Sequence, residues 1–150
     1  KSCTCSASAV SRYLSRVSGP LLDRLDLHID VAPVEYEALT SRQKSESSAE
    51  IAERVQKARD IQQKRFSSTR IHANAQMGPA ELREYCPLTG AANALLKNAF
   101  ERLSLSARAY DRIVKVARTI ADLEDSETID STHIAEAIQY RSLDRKYWRT

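Results

Sequence analysis

Glycine, proline and aromatic residues are all scarce in this chain. Of its 150 residues, 3 are glycine and 4 are proline, and Phe, Trp and Tyr together make up 6%. The glycines are isolated at Gly19, Gly78 and Gly90, so the sequence has no G-x-x-x-x-G-K-[ST] run and no phosphate-cradling loop of that kind. An acidic strand end of the type that holds Mg²⁺ beside such a loop is also missing from the pattern.

Long hydrophobic runs and a secretory signal are missing as well. No apolar stretch is long enough to span a bilayer, and the first residues do not have the pattern of a cleavable signal. The three cysteines are an odd number in a chain of which 29% is charged. This combination favours a reducing compartment over a disulfide scaffold, so a cytoplasmic location is expected. The net charge of +3 is too small to select a nucleic-acid partner by itself.

One segment has the alternation of a β-strand. From Leu25 to Val31, four apolar residues alternate with Asp26, His28 and Asp30, which predicts a strand at residues 25–31 with one buried face. No later segment offers a partner, and an unpaired strand leaves its backbone donors and acceptors unsatisfied. We therefore expect the chain to derive from a larger protein whose sheet lies upstream.

The remaining pattern is helical. Apolar periodicity predicts a helix at residues 7–17, and a second helix at 48–66 opens with a capping box formed by Ser47 and Glu50. Four shorter helices then form a bundle; they are predicted at residues 80–85, 89–103, 107–124 and 131–141. The fold class is therefore mainly α. The predicted parts are residues 1–34, a connector with one long helix at 35–78, and the helical bundle at 79–150.

Two arginines occupy positions where phosphate chemistry is one of two explanations. Arg108 falls in the first turn of the helix predicted at 107–124, after a stretch ending at Ser106 that can cap it. The helix dipole disfavours a cation there and favours an anion such as phosphate, yet a solvated face of mixed charge also explains Arg108. Arg24 lies at the mouth of the predicted strand, where it is either functional or the exposed residue of an amphipathic turn.

The helix predicted at 107–124 also carries a basic face, which is either solvated or a contact surface for nucleic acid or a partner helix. Its members are Arg108, Arg112, Lys115 and Arg118. The tail SLDRKYWRT, residues 142–150, would add stacking on bases unless Trp148 packs onto the bundle. A helical nucleic-acid or protein binding module, with no nucleotide chemistry, is therefore the alternative function.

Two stretches carry a family resemblance: SGPLLDRLDLHIDV at residues 18–31 and LSARAYDRIVKVARTIADLEDSETIDSTHIAEAIQYRSLD at residues 105–144. They resemble the C-terminal portion of the magnesium-chelatase-like AAA+ ATPases, the family of the competence-associated ComM and YifB proteins. The resemblance covers nearly the whole chain, and LLDR and ARTIADLE are its specific stretches. It implies the C-terminal remnant of an AAA+ α/β core, with one strand, followed by a helical-bundle lid domain.

The resemblance also implies roles for the two arginines. In these ATPases the Arg of an LLDR-type turn is the arginine finger, offered in trans to the ATP of the neighbouring subunit, and that position is Arg24. The Arg at the start of the lid helix is the sensor-2 residue, which contacts the terminal phosphate of its own subunit's nucleotide, and that position is Arg108. The implied cofactors are ATP and Mg²⁺. The implied partners are the upstream ATPase core, the neighbouring subunits of a homo-oligomeric ring, a hexamer by resemblance, and DNA as the substrate of helicase or branch-migration work.

The family's phosphate-binding loop, acidic strand and sensor-1 residue all precede the part present here, so the chain alone is expected to be inactive as an ATPase. The opening KSCTCSAS resembles the second half of a cysteine-rich insertion, in which Cys3 and Cys5 would supply two of four Zn²⁺ ligands. Cys86 is expected to be buried. The three histidines have no i, i+4 partner and are expected to be ordinary structural or surface residues.

Overall fold

The computed structural model describes residues 4–34, 36, 40 and 45–141, and these residues form seven α-helices and a short 3₁₀ turn. No helix in these ranges is long and apolar enough to cross a membrane. The mainly α fold class is confirmed. The helices are α1 Ala7–Leu14, α2 Gly19–Leu22, α3 Ser48–Arg65, α4 Pro79–Tyr85, α5 Gly90–Leu103, α6 Ala107–Leu123 and α7 Ser131–Gln139, with the 3₁₀ turn at Asn74–Gln76.

Side-chain caps start the helices where the sequence predicts them. The Ser47 hydroxyl accepts from the Glu50 backbone N–H at 3.3 Å, and the Glu50 carboxylate accepts from the Ser47 N–H at 2.7 Å, which confirms the capping box. The Glu50 carboxylate also accepts from the Ser47 hydroxyl at 2.7 Å, and the bonds donated to it by the Ser47 N–H and hydroxyl lower the pKa of Glu50. Ser106 caps α6 by accepting from the Ala109 N–H at 3.0 Å, so the predicted capping stretch before Arg108 is also confirmed.

The hydrophobic core surrounds α6. Helix α7 packs against α6 and α5, and α3 packs against α6 from another side. Cys86 lies in this core, as predicted, and burial raises its pKa to about 11. The core's buried side chains include Phe66, Met77, Leu82, Leu96, Ile113, Val114, Ala117, Ala121, Ile129, Ile134 and Ala137. Because Phe66 and Met77 come from the predicted connector, the end of that segment packs with the bundle; the division into three parts stays a prediction.

Residues 25–31 form neither helix nor strand in the described part of the protein, and the chain bends at Asp26. A single backbone bond, from the His28 N–H to the Tyr140 carbonyl at 2.7 Å, ties the segment to the end of α7. Of the alternating polar residues, His28 is 5% exposed, whereas Asp26 and Asp30 are exposed; Leu25, Leu27, Ile29 and Val31 are 46–83% exposed. The sheet expected to cover the apolar residues is not among the described residues, so the strand with one buried face stays a prediction.

Candidate functional site

Arg24 lies in a tight turn directly after α2. The Arg24 N–H donates to the Leu21 carbonyl and the Leu25 N–H donates to the Leu22 carbonyl, both at 3.0 Å. The Arg24 side chain is exposed. Within the described residues its guanidinium has no hydrogen-bond or ion-pair partner, so the turn is ordered by its backbone while the cation remains available.

Asp23 joins this turn to the start of α6. Its Oδ1 accepts from the Ser106 hydroxyl at 3.1 Å, and its Oδ2 lies 3.3 Å from Arg108 Nη1. Arg141 follows the end of α7 by two residues, and its Nη2 lies 3.8 Å from Asp23 Oδ1. The structure therefore brings the turn of Arg24 and the side chain of Arg108 to one edge of the molecule. We call the surface formed by Asp23, Arg24, Ser106 and Arg108 the arginine edge.

In the arginine edge, the carboxylate of Asp23 lies near the N-terminus of α6. Arg108 is the second residue of α6, and the Asp23 carboxylate lies against both Arg108 and the capping Ser106. A negative charge there is stabilised by the helix dipole and by the guanidinium. Because the Arg108 side chain is 60% exposed, its contact with Asp23 is a surface ion pair, a class that contributes about 0–1 kcal/mol.

Two other members of the basic face bind within the chain. Arg112, whose side chain is 21% exposed, donates to the Asp26 carboxylate. Lys115 Nζ donates to the Ala75 carbonyl at 3.2 Å. Their proposed contact with nucleic acid stays a prediction, but each side chain would first have to leave an intramolecular partner.

Arg118 is not on a solvated face, and its prediction as a nucleic-acid contact is wrong. Its side chain is 1% exposed, donates through Nε to Asp122 Oδ1 at 3.0 Å and through Nη1 to the Glu127 carbonyl at 2.8 Å, and also donates to the Ser126 carbonyl. Burial lowers the pKa of Arg118, and the charge of Asp122 opposes this shift. A side chain without access to solvent cannot contact a phosphate backbone.

Asp122 centres a buried network that the sequence analysis did not predict. Its carboxylate accepts from Arg65 of α3 at 2.5 and 2.8 Å, from Arg118 at 3.0 Å and from Asn74 at 2.7 Å. Asn74 also donates to Thr119 at 3.1 Å. The network fixes the end of α3 and the 3₁₀ turn to α6. One signal was present in the sequence: Arg118 follows the apolar Val114 by four residues and precedes Ala121 by three, which places it in a second buried stripe.

The predicted Zn²⁺ half-site has only one member in the described ranges. Cys5 is exposed and Cys3 lies outside them, as does the tail at 142–150. No group of three or more His, Cys, Asp or Glu side chains that could hold a metal ion occurs among residues 4–34, 36, 40 and 45–141. His28 and His133 are buried and bonded to the chain: His28 Nε2 lies 3.2 Å from the Leu22 carbonyl, and His133 Nδ1 accepts from the Asp130 N–H at 2.9 Å. Both are structural residues, as expected.

The mainly helical fold is consistent with the C-terminal helical lid domain of an AAA+ protein. Residues 45–141 match the family model described as magnesium chelatase, subunit ChlI C-terminal, and residues 1–39 match that of magnesium chelatase, subunit ChlI. The chain belongs to the magnesium-chelatase-like family.

Curated proteins from three bacteria match most of the chain. It is 40% identical over 141 residues to competence protein ComM of Haemophilus influenzae, which covers 93% of this chain. It is 39% identical over 143 residues to the uncharacterised protein YifB of Escherichia coli, covering 94% of the chain, and 34% identical over 140 residues to an uncharacterised protein of Mycobacterium tuberculosis, covering 93%. The chain spans 27% of the length of each of these relatives.

Proposed function

We propose that this chain is the C-terminal part of a magnesium-chelatase-like AAA+ ATPase that couples ATP binding and hydrolysis in an oligomeric ring to the remodelling of DNA. The observation that carries the proposal is the arginine edge, where Asp23 holds the turn of Arg24 beside Arg108. Family membership supports the ATPase assignment. The name of one relative, competence protein ComM, is the support for DNA as the partner.

Arg24 is proposed as the arginine finger. Hydrolysis transfers the terminal phosphoryl group of ATP to water, and negative charge builds up on the oxygens of that group in the transition state. An exposed guanidinium with no described partner can approach those oxygens without first breaking an ion pair. Because the sequence has no phosphate-cradling loop, the ATP that Arg24 contacts is held by another part of the assembly, which we propose to be the neighbouring subunit's core.

Arg108 is proposed as the phosphate sensor. Its single ion pair with Asp23 is exposed and weak, so exchange of the carboxylate for a phosphate oxygen costs little. Because Arg108 lies against Asp23, the residue before Arg24, we propose that Arg108 reads the nucleotide that Arg24 approaches, rather than the nucleotide of its own subunit as the resemblance implies.

The described residues suit the phosphates of the cofactor rather than its metal ion. Arg24 and Arg108 supply positive charge, whereas the described part of the chain has no carboxylate cluster that could hold a cation. Mg²⁺ bound with ATP would neutralise phosphate charge. We assign its ligands to no residue of this chain, and every role proposed here belongs to the arginines.

Subunit mixing in the full-length ATPase tests these assignments. Arg24→Ala should lower turnover by about 10³-fold or more while nucleotide affinity stays nearly unchanged. Subunits whose phosphate-binding loop is inactivated still carry an intact Arg24, so mixing them with the Arg24→Ala protein should restore turnover. Arg16→Ala, which changes another exposed arginine, is the matched control. Failure of the mixed rings to recover activity would count against a finger acting in trans.

The same assay separates the two possible sites of Arg108. If Arg108 acts on the neighbour's nucleotide, Arg108→Ala is rescued by loop-defective subunits and is not rescued by Arg24→Ala subunits. Recovery in the mixture of Arg108→Ala and Arg24→Ala proteins would instead place Arg108 at its own subunit's nucleotide. Normal ATP hydrolysis by the unmixed Arg108→Ala protein would refute the sensor role altogether.

DNA as the remodelled partner has its own test. Binding of DNA oligonucleotides to the full-length protein should weaken steeply as salt rises, because phosphate contacts release counterions. DNA should also raise the rate of ATP hydrolysis. Unchanged hydrolysis with both single- and double-stranded DNA would remove DNA from the proposal and leave the ATPase assignment standing. The alternative of a nucleotide-free binding module is weakened by the burial of Arg118, which removes one of its proposed contacts.

A further inference from the structure

Arg141 contacts the chain on both sides of Arg24. Its Nη1 donates to the carbonyl of Leu25 at 3.0 Å, and its Nη2 lies 3.8 Å from the carboxylate of Asp23. These two residues are the immediate neighbours of Arg24 in the sequence. The Arg141 side chain is 4% exposed, so its position is set by packing as well as by these contacts.

The rest of the turn is attached to the same region of the helical domain. The His28 N–H donates to the carbonyl of Tyr140, the residue before Arg141, at 2.7 Å. Asp26 pairs with Arg112 of α6. Arg24 is therefore an exposed side chain on a short turn whose backbone and neighbouring side chains are held by the end of α7 and by α6.

We propose that Arg141 is a positioning residue that sets the direction in which Arg24 leaves the subunit. This inference rests on the proposed function of Arg24 as a trans-acting finger. Arg141 does not contact nucleotide in this role; it fixes the backbone from which Arg24 extends. Misplacement of a reacting group by about 1 Å can cost about 100-fold in rate. Because the Arg141 guanidinium contacts both neighbours of Arg24, its loss would misplace Arg24 and have a large effect on turnover.

The contacts need an arginine rather than any cation. A planar guanidinium presents several N–H donors in a fixed fork, so one side chain can reach a carbonyl with one nitrogen and a carboxylate with another. A lysine ammonium is a compact point charge and cannot keep both contacts in the same geometry. Arg141→Lys should therefore retain part of the effect, and Arg141→Gln should lose most of it.

The test is made in the full-length ATPase, with ATP turnover, nucleotide affinity and subunit mixing as readouts. Arg141→Gln should lower turnover by about 10- to 100-fold, Arg141→Lys by less, and both should bind nucleotide normally. Arg141→Gln subunits have an intact nucleotide site, so loop-defective subunits should restore their activity by supplying a well-placed Arg24. Arg24→Ala subunits should not restore it, since neither protein then supplies a working finger. Arg83→Gln, an exposed arginine on α4, is the matched control.

Each other outcome overturns the inference in a recognisable way. Rescue by Arg24→Ala subunits but not by loop-defective ones would show that Arg141→Gln damages its own subunit's nucleotide site. Rescue by neither kind of subunit would show that Arg141→Gln causes a general loss of structure. The thermal midpoint of the Arg141→Lys protein would report such a loss independently. If the Arg141→Gln protein hydrolyses ATP normally while the Arg24→Ala protein is inactive, the positioning role alone is overturned. If the Arg24→Ala protein hydrolyses ATP normally, the proposed finger and this inference are overturned together.

Discussion

Replacement of Asp122 should destabilise the helical domain more than its small size suggests. The Asp122 side chain is 0% exposed and lies between two guanidinium groups, those of Arg65 and Arg118. Asp122→Ala removes the carboxylate and leaves both cations in place. It also removes an acceptor of the Asn74 side chain, whose amide donates to Asp122 at 2.7 Å.

The size of the effect follows from where the two cations are left. Arg118 is 1% exposed and Arg65 is 15% exposed, so neither can recover full hydration without a rearrangement of the core. Removing one partner of a buried ion pair costs about 3–5 kcal/mol, because the remaining charge stays buried without compensation. This is a large share of the 5–15 kcal/mol that holds a typical domain folded. We expect the thermal midpoint to fall by about 10–20 °C.

Urea and thermal unfolding followed by circular dichroism measure this loss. Asp122→Asn preserves the volume and removes the charge, so its destabilisation should approach that of Asp122→Ala if electrostatics dominates. Glu53→Ala breaks the exposed pair between Glu53 and Lys57, in which both side chains are more than two-thirds exposed, and should change little. Exposed ion pairs contribute about 0–1 kcal/mol. If Asp122→Ala lowers the free energy of unfolding by less than about 1 kcal/mol, the network does not hold α3 against α6.

Three further predictions concern the core and the start of α6. The thiol of Cys86 should resist alkylation in the folded chain at neutral pH while Cys5 reacts, because burial raises the pKa of Cys86 to about 11; mass spectrometry of the alkylated peptides checks this. The thiol of the unfolded chain ionises near its ordinary pKa of 9.0, so the stability contributed by Cys86 should fall as pH rises from about 9 to about 11, and the Cys86→Ala protein should lack that fall. Ser106→Ala should cost about 1 kcal/mol through loss of the cap of α6, and Ser106→Thr, which keeps the hydroxyl, should cost less; equal losses in urea unfolding would argue against the cap.

The helices were predictable because their signals are local. Ser47 and Glu50 are three residues apart, and their reciprocal bonds depend on nothing outside the first turn of α3. Ser106 acts in the same way at the start of α6. The apolar stripe that contains Ile113 and Ala117 has the period of a helix and is buried as predicted.

Arg118 could not be placed by the same reasoning because α6 is buried on more than one side. A wheel that takes Ile113 and Ala117 as the buried face assigns Arg118 to solvent. Packing of α3 and the 3₁₀ turn against α6 closes a second side, and the charge on Arg118 is then compensated by Asp122 rather than by water. The spacing of Arg118 from Val114 and Ala121 indicates a second stripe, and the tertiary arrangement shows that this stripe is covered.

The start of α6 shows what local reasoning can and cannot supply. The position of Arg108 after a capping serine left open whether the side chain faces an anion or solvent, and the structure places the carboxylate of Asp23 beside it. The sequence could not reveal that the partner belongs to the turn of Arg24, because that contact depends on how the N-terminal segment docks on α6. The docking has a chemical consequence: phosphate binding by Arg108 would compete with Asp23, and any displacement of Asp23 would act on the backbone next to Arg24. The two arginines are thereby connected through Asp23, and this connection is the observation behind the proposal that both act on the same nucleotide.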